Sequence, residues 1–307
     1  MTKHTIISWD STFRNFFHLL PSLADLEWGR DRLQVIFIEQ RSAATAAAYA
    51  AAEGCKTVAQ VAAEVADRLD ISVVHLDEDD AVYHPGRLLN AGLERATGDI
   101  VSTMDADILV PRQFVRVLDE LHKRGPRVFT MHRPAAQFPC GTTKADWKNQ
   151  IVDYDLVRNL CPHAFAPIPD VVNNKAPLLS TRRENWEAIG GYDGHRLFST
   201  AYTMFGRDIS LRFRLLLGEV EVPMPMFAIH PWHPTELNRQ DDKITVLFGA
   251  QQGLMKWSED NQVFDVRKRQ AVADQLYASH RDRVDIAIAF AEDEQRSSTR
   301  KAAKSMP

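Results

Sequence analysis

Short apolar runs alternate with segments of helical character over residues 1–135, and this alternation limits the possible folds more than any other feature of the chain. The predicted strands are HTIISW, LQVIFIE, ISVVHL, IVSTMD and RVFTMHR. The intervening segments, such as SAATAAAYAAAEG and PRQFVRVLDELHKRG, are alanine-rich or carry apolar residues at helical spacing. Strands that alternate with helices favour a doubly wound α/β sheet of mostly parallel strands.

The sequence changes in texture after residue 135. Residues 136–240 combine loops rich in Pro, Gly and Asn with short elements, and we interpret them as the second half of the same domain. Residues 241–290 are predicted to form a C-terminal helical extension, and the polar tail 291–307 is predicted to be disordered. The expected fold class is therefore α/β, with helices flanking the sheet, a small subregion and C-terminal helices.

Charge and cysteine content argue against several classes of protein. The formal net charge of −4 argues against broad phosphate neutralisation, and hence against a nucleic-acid partner. The cysteines Cys55, Cys140 and Cys161 form no CxxC pair, so neither a zinc ribbon nor a disulfide framework is expected. No signal-peptide core and no apolar run of about 18 residues occurs, so we expect a soluble, cytoplasmic protein with at most peripheral membrane contact.

Two carboxylates end the fourth predicted strand, in the segment GDIVSTMDADILVP. Asp105 and Asp107 are separated by one residue, so their side chains project to the same side of an extended chain. In a turn just beyond a strand they can converge on Mg²⁺ or Mn²⁺, which take oxygen ligands and keep positions open for substrate phosphates. The alternative is an ordinary turn, where Asp is favoured for its hydrogen bonds to the backbone.

Polar residues also follow the first three predicted strands, at residues 8–10, 39–42 and 77–80. In open α/β sheets, ligands bind in the crevice beyond the carboxyl ends of the strands. These residues are therefore candidates to line a pocket for a nucleotide base and ribose. Solvation of surface loops is the alternative interpretation.

Two further motifs lie in the second half of the chain. Asp208 opens the amphipathic segment FGRDISLRFRLLLG, as either a first-turn acid that stabilises a helix or a general base. His230 and His233 flank Pro231 and Trp232 in AIHPWHP, where the prolines exclude a regular helix. Neutral imidazoles are competent ligands for Mn²⁺ or Zn²⁺, and the alternative is a pair of ordinary loop histidines. Trp232 is a candidate packing residue or sugar-stacking platform.

Taken in order, these segments resemble the GT-A fold glycosyltransferases, especially the family-2-like group. LLNAGLERATGDIVSTMDADILVP is similar to that family's LNxGLxxAxGDIVxxxDADxxxP segment, and PLLSTRRENWEAIGGYDG is similar to its xLxxRRxxFxxIGGFDE segment. FGRDISLRFRLLLG resembles WGxEDxDLxxRLxxxG, and AIHPWHP falls where some members carry a histidine metal ligand. The matching segments span residues 5–235, and they occur in the family's order.

The resemblance implies that residues 1–135 bind a nucleotide-sugar donor. It makes Asp107 a direct metal ligand, and it gives Asp105 a contact with the ribose or with a metal-bound water. His230 is the implied third ligand, with His233 as the alternative. The other donor-side candidates are Ser8, Glu39 for the base, Asp77 as a weaker candidate for the same pocket, and Arg87 for the diphosphate.

The resemblance also implies that residues 136–240 form the acceptor-binding and catalytic half. Asp208 matches the acid that deprotonates the acceptor hydroxyl in inverting members, so inversion is expected, although retention is possible on the same fold. The further acceptor-side candidates are Arg207, Tyr192 and Trp232. Arg207 stands where the family has the Glu of a Glu-Asp pair, and an arginine there could bind an acidic acceptor or the leaving phosphate.

The implied activity is transfer of a sugar, dependent on Mn²⁺ or Mg²⁺, to a carbohydrate or glycoconjugate acceptor. The second strand ends in IEQRS rather than VDDGS, which leaves UDP-, GDP- and dTDP-sugars open, with UDP-sugars favoured. Two rival hypotheses stay open. A nucleotidyltransferase would usually carry a glycine-rich loop after the first strand, where ISWDSTFRNF has no glycine. A non-catalytic binding protein of the same fold would explain Arg207 and the altered second-strand motif.

Overall fold

The computed structural model describes residues 2–10, 19–53, 56–78, 83–125, 127–132, 135–136, 178–199, 204–218, 222–228, 230–231 and 242–290. The chain divides into two compact units. The first comprises residues 1–79, 92–183 and 221–234, and the second comprises residues 80–91, 184–220 and 235–307. The predicted tail 291–307 lies outside the described residues, and the fourfold division expected from the sequence stays a prediction.

The first unit is built on a sheet that has seven strands among the described residues, in the order β3-β2-β1-β4-β7-β5-β8. These strands are His4–Asp10 (β1), Leu33–Glu39 (β2), Asp70–His75 (β3), Ile100–Asp105 (β4), Phe129–His132 (β5), Leu178–Arg182 (β7) and Val222–Phe227 (β8). Ala135–Ala136 (β6) pairs separately with His230–Pro231 (β9). Neighbouring strands are parallel except at β7, which runs antiparallel to both β4 and β5. The predicted α/β class with a mostly parallel sheet is confirmed.

The described helices follow the predicted periodic segments closely. They are Leu19–Ala24 (α1), Ala43–Glu53 (α2), Val58–Val65 (α3), Pro85–Leu93 (α4), Phe114–His122 (α5), Arg183–Ile189 (α6), Phe205–Leu217 (α7), Asp242–Asp260 (α8), Gln270–Ser279 (α9) and 281–290 (α10). Thr57 and Gln60 start α3 with a capping box, and Gly218 ends α7 in the left-handed region with φ 68°. None of the described helices is both long and apolar enough to cross a bilayer.

A continuous apolar core holds the sheet of the first unit against its helices. Ile6, Val35 and Phe37 from the strands join one cluster with Phe114 and Leu118 of α5. Burying side chains of this size stabilises the folded state by roughly 1.5–3 kcal/mol each. This packing anchors β1, β2 and β4, whose carboxyl ends carry the predicted donor residues.

A buried polar cluster lies at the opposite, amino-terminal end of β1. His4 Nε2 lies 3.2 Å from Asp119 Oδ1, and His122 Nε2 lies 3.0 Å from the Ser180 hydroxyl. Burial lowers the pKa of His4 despite its bond to Asp119. Burial, reinforced by the charges of His4 and Arg182, lowers the pKa of His122 to about 3. Both imidazoles are therefore neutral in the folded protein near neutral pH.

This cluster predicts that the protein loses stability in mild acid. The unfolded chain binds protons on these histidines below their ordinary pKa of 6.5, while the folded chain does not. Stability is therefore complete above that pH, and His122 alone removes about 1.4 kcal/mol for each pH unit below it. Unfolding midpoints measured from pH 7.5 down to pH 4.5 test this, and His122→Gln should flatten the slope. An identical slope in the wild type and the variant would contradict the assignment.

Candidate active site

Four strands of the first unit end in register, at or close to residues that are predicted to bind the donor. β1 runs parallel to both β2 and β4, and the register pairs Trp9 with Asp105 and Asp10 with Glu39. β3 continues the row, because Glu39 pairs with His75. The carboxyl ends of these strands therefore form one edge, which is where open α/β sheets bind ligands.

Ser8 and Glu39 are two of the polar side chains that are buried at this edge. Ser8 is fully shielded from solvent, and its Oγ forms no hydrogen bond with any described residue. Glu39 is 4% exposed, and its Oε2 lies 3.3 Å from His75 Nδ1. The hydrogen bond of His75 Nδ1 goes to the Arg41 carbonyl at 3.1 Å. A buried hydroxyl without a partner costs free energy. A ligand bound at this edge would give the Ser8 hydroxyl a hydrogen-bond partner. The predicted contact of Ser8 with the sugar donor stays a prediction.

Asp105 and Asp107 stand at the end of β4, where the sequence places them. Asp105 is the last residue of the strand and is half-buried, whereas Asp107 lies in the following turn and is 7% exposed. Among the side chains that the structure describes, no group of three His, Cys, Asp or Glu residues is placed to hold a metal by itself. Mg²⁺ is commonly held by one or two carboxylates with substrate phosphates and water. The pair therefore fits a metal whose coordination a bound diphosphate would complete.

The other predicted donor residues lie in less enclosed places. Asp77 is exposed after β3 with φ 55°, a left-handed conformation that Asp tolerates better than most residues. Arg87 is exposed on the first turn of α4, in the second unit. The backbone of His230 belongs to β9, while its side chain and all of Trp232 and His233 lie outside the described residues. Their predicted roles are untested.

The second unit contains a buried cluster of four charged residues around Asp208. Asp193, Asp208, Arg212 and Arg269 are each at most 3% exposed. Arg212 Nε donates to Asp208 Oδ2 at 2.9 Å. Arg269 donates to both carboxylate oxygens of Asp208, from Nη1 to Oδ1 at 2.5 Å and from Nη2 to Oδ2 at 2.7 Å. The two acids and two arginines balance in charge, as a buried ionic cluster requires.

The same arginines reach the turn that follows α6. Arg269 donates to Asp193 Oδ2 from Nε at 3.0 Å and from Nη2 at 2.6 Å. Arg212 Nη1 donates to the carbonyls of Ile189 and Gly191 at 2.9 and 2.7 Å. The cluster therefore joins three segments of the second unit: this turn, the start of α7, and the chain just before α9.

Asp208 consequently lies in an unfavourable environment for proton abstraction. Burial alone would raise its pKa, but the charges and hydrogen bonds of Arg212 and Arg269 hold that pKa below the ordinary 3.8. A general base works best with a pKa near the operating pH and within hydrogen-bonding reach of the substrate. As a base, Asp208 would need both ion pairs to open, so its catalytic role stays a prediction and its observed role is structural.

The predicted acceptor residues Tyr192 and Arg207 differ in their surroundings. Tyr192 is 3% exposed, and its ring centroid lies 5.4 Å from that of Trp186 and 6.0 Å from that of Phe205. Asn90 brackets its backbone: Asn90 Nδ2 donates to the Tyr192 carbonyl at 2.9 Å, and Tyr192 N donates to Asn90 Oδ1 at 2.8 Å. Arg207 is exposed on the first turn of α7. An acceptor contact stays a prediction for both.

Sequence reasoning missed three residues that shape this unit: Asn90, Asp193 and Arg269. Asn90 stands in the LLNAG segment and Asp193 in the GGYDG segment, so the two resembling motifs carried a usable signal. Arg269 carried none, because it lies outside every motif and 61 residues from Asp208 along the chain.

Comparison with known proteins agrees with this arrangement. Residues 52–171, which include Asp105 and Asp107, match Glycosyl transferase family 2. No curated protein sequence matches the chain significantly. The fold is that of the GT-A glycosyltransferases, and the matched segment is similar to their family 2.

Solved structures support the fold over the length of the chain. A mannosyltransferase, PcManGT from Pyrobaculum calidifontis in complex with GDP-Man and Mn²⁺, is 15% identical with a TM-score of 0.51, and the match covers 100% of this chain and 76% of that one. TarS 1–349 of S. aureus is 14% identical with a TM-score of 0.52, over 99% of this chain and 90% of that one. Its complex with UDP-GlcNAc is 12% identical with a TM-score of 0.52, over 99% and 91%. At these identities the likeness shows the GT-A fold.

Proposed function

We propose that the chain transfers a sugar from a nucleotide-diphospho-sugar to an acceptor hydroxyl, with Mn²⁺ or Mg²⁺ held at Asp105 and Asp107. The observation that carries the proposal is the row of strand ends at which Glu39 and Asp105 end β2 and β4, with Ser8 two residues before the end of β1. Buried polar side chains at that edge give a donor base, ribose and diphosphate polar partners. When bound, the metal would neutralise charge on the departing diphosphate.

The residues of the first unit have distinct parts in this proposal. Asp107, the more buried carboxylate, would ligate the metal directly, and the half-buried Asp105 would contact the ribose or a metal-bound water. Glu39, close to His75, would face the base, and the Ser8 hydroxyl would gain a hydrogen bond on donor binding. Two structures of similar fold were solved with GDP-Man or UDP-GlcNAc, which supports nucleotide sugars as the donor class and keeps both bases in the proposal.

The stereochemical part of the proposal is inversion. Direct displacement by an acceptor hydroxyl opposite the leaving diphosphate inverts the anomeric centre, and a carboxylate on that side takes the proton. Asp208 is the residue that the sequence assigns to this step, and the ion pairs to Arg212 and Arg269 count against it in this conformation. Substitution of Asp208 therefore tests whether its side chain accepts the proton of the acceptor or only stabilises the fold.

A binding and turnover experiment tests the proposal. Thermal unfolding is measured with UDP, GDP and dTDP, each with Mn²⁺, with Mg²⁺ and with EDTA. A donor-site nucleotide should raise the Tm only with the metal, because binding to the native state stabilises it. The matching sugar nucleotide is then incubated with p-nitrophenyl glycosides. Release of nucleoside diphosphate supports the proposal, release of pyrophosphate would instead indicate a nucleotidyltransferase, and metal-dependent binding without turnover would indicate a binding protein.

A further inference from the structure

The strongest unassigned feature is the buried cation that the C-terminal region supplies to the second unit. Arg269 is fully buried, and it lies just before α9, in the region that the sequence marked only as a helical extension. Its guanidinium makes two hydrogen bonds to Asp193 and two to Asp208. A planar guanidinium suits such paired contacts, whereas a lysine offers a single point charge.

Arg269 therefore couples two segments that carry acceptor-side candidates. Asp193 directly follows Tyr192, and its Oδ1 accepts a hydrogen bond from the backbone N–H of His195 at 2.8 Å. Asp208 directly follows Arg207 on the first turn of α7. Because one guanidinium binds both acids, it fixes the distance between the Tyr192 turn and the Arg207 turn.

The burial of the cluster makes this coupling stiff. Charges removed from water are stable only when their geometry and remaining hydrogen bonds are well satisfied. Arg212 supplies a second connection from Asp208 to the carbonyls of Ile189 and Gly191. Loss of the Arg269 side chain would leave Asp193 without its guanidinium and Asp208 with Arg212 alone, so the two turns would lose a common anchor.

We propose that Arg269 is a positioning residue for acceptor transfer, which acts through Asp193 and Asp208 to hold the Tyr192 turn and the Arg207 turn in one arrangement. This inference rests on the proposed glycosyltransferase function. It adds that the helical extension helps to form the acceptor side. Among the donor-side candidates, Arg87 belongs to the second unit, whereas Ser8, Glu39, Asp105 and Asp107 belong to the first. Most of the proposed contacts to nucleotide and metal should therefore not depend on Arg269.

The test compares Arg269→Met and Arg269→Lys with Arg267→Met. Arg267 is the matched control, because it lies two positions away and is exposed, with its Nε bonded to Asp265 at 2.7 Å. Each variant is assayed for Tm, for Mn²⁺-dependent UDP and GDP binding, for slow donor hydrolysis, and for transfer from UDP-glucose or GDP-mannose to p-nitrophenyl glycosides. Circular dichroism checks that each variant is folded.

We expect Arg269→Met to lower kcat/KM for the acceptor by about 100-fold, with nucleotide binding and donor hydrolysis unchanged. Arg269→Lys should recover part of the transfer rate, since it restores the charge but not the paired geometry. Arg267→Met should behave as the wild type. A residue that only stabilises the fold would lower the Tm without this division between acceptor and donor steps.

Three results would overturn the inference. One is a folded Arg269→Met protein with unchanged acceptor kinetics, and another is an equal loss of nucleotide binding and transfer. If Arg269→Met does not fold, Arg269→Lys and Asp193→Asn take its place, and unchanged acceptor kinetics in both is the third. A wild-type protein that binds and turns over no nucleotide sugar would instead refute the proposed function, so the two failures are distinguishable.

Discussion

Asp107→Asn should abolish metal-dependent nucleotide binding and reduce sugar transfer by about 1,000-fold or more, equivalent to about 4 kcal/mol of transition-state stabilisation. The substitution keeps the shape of a side chain that is 7% exposed, so the fold should survive. It removes the negative charge with which a carboxylate attracts a hard divalent cation. Calorimetry measures the binding of Mn²⁺ and the nucleoside diphosphate. Initial rates measure sugar transfer.

Two control substitutions lie at the two ends of β4. Asp105→Asn should weaken donor binding less than Asp107→Asn, because Asp105 is assigned a contact with ribose or water. Asp99→Asn should leave metal binding intact, since Asp99 is exposed just before β4 and accepts a bond from the Lys3 N–H at 3.0 Å. Full transfer by Asp107→Asn after metal removal would refute the metal site.

The strands of the first half of the sheet were predictable because each one depends on the residue types in its own short segment. LQVIFIE and IVSTMD form β2 and β4 over the predicted residues, since short runs that are rich in apolar residues suit strands buried on both faces. The antiparallel direction of β7 was not visible, because direction depends on the long connection that precedes Leu178 rather than on the strand itself. The carboxyl-edge placement of Asp105 and Glu39 then followed from the parallel order of β1, β2 and β4.

The surroundings of the second-unit acids were not predictable in the same way. The position of Asp208 in the first turn of α7 is a local property, and the sequence predicts it. Its burial depends on Arg269, 61 positions away, and the backbone of Tyr192 is bracketed by Asn90, 102 positions away. Such pairs form only when distant segments pack together, and no spacing rule within a single motif contains them.

Asp208→Asn is the second substitution with a large expected effect, and we expect that effect on stability. Asparagine leaves Arg212 and Arg269, both fully buried, with Asp193 as the one remaining carboxylate of the described four-residue cluster. Breaking a buried ion pair from one side costs about 3–5 kcal/mol, which should lower the Tm by roughly 10 °C. Asp260→Asn is the control, because Asp260 pairs with Lys256 on an exposed helix face, where ion pairs contribute little.

The pH dependence and the kinetics of Asp208→Asn separate the structural role from the catalytic one. Because the arginines lower the pKa of Asp208, its contribution to stability is complete above the ordinary value of 3.8 and is lost as the pH falls through the folded pKa. The stability difference between the variant and the wild type should therefore be constant near neutral pH and shrink in strong acid. A catalytic base would give a different pattern: an unchanged Tm, a loss in kcat of about 100- to 10,000-fold, and disappearance of the acidic limb of the rate profile. A large fall in Tm combined with a rate loss no greater than that of Arg269→Met would assign Asp208 to the structural cluster.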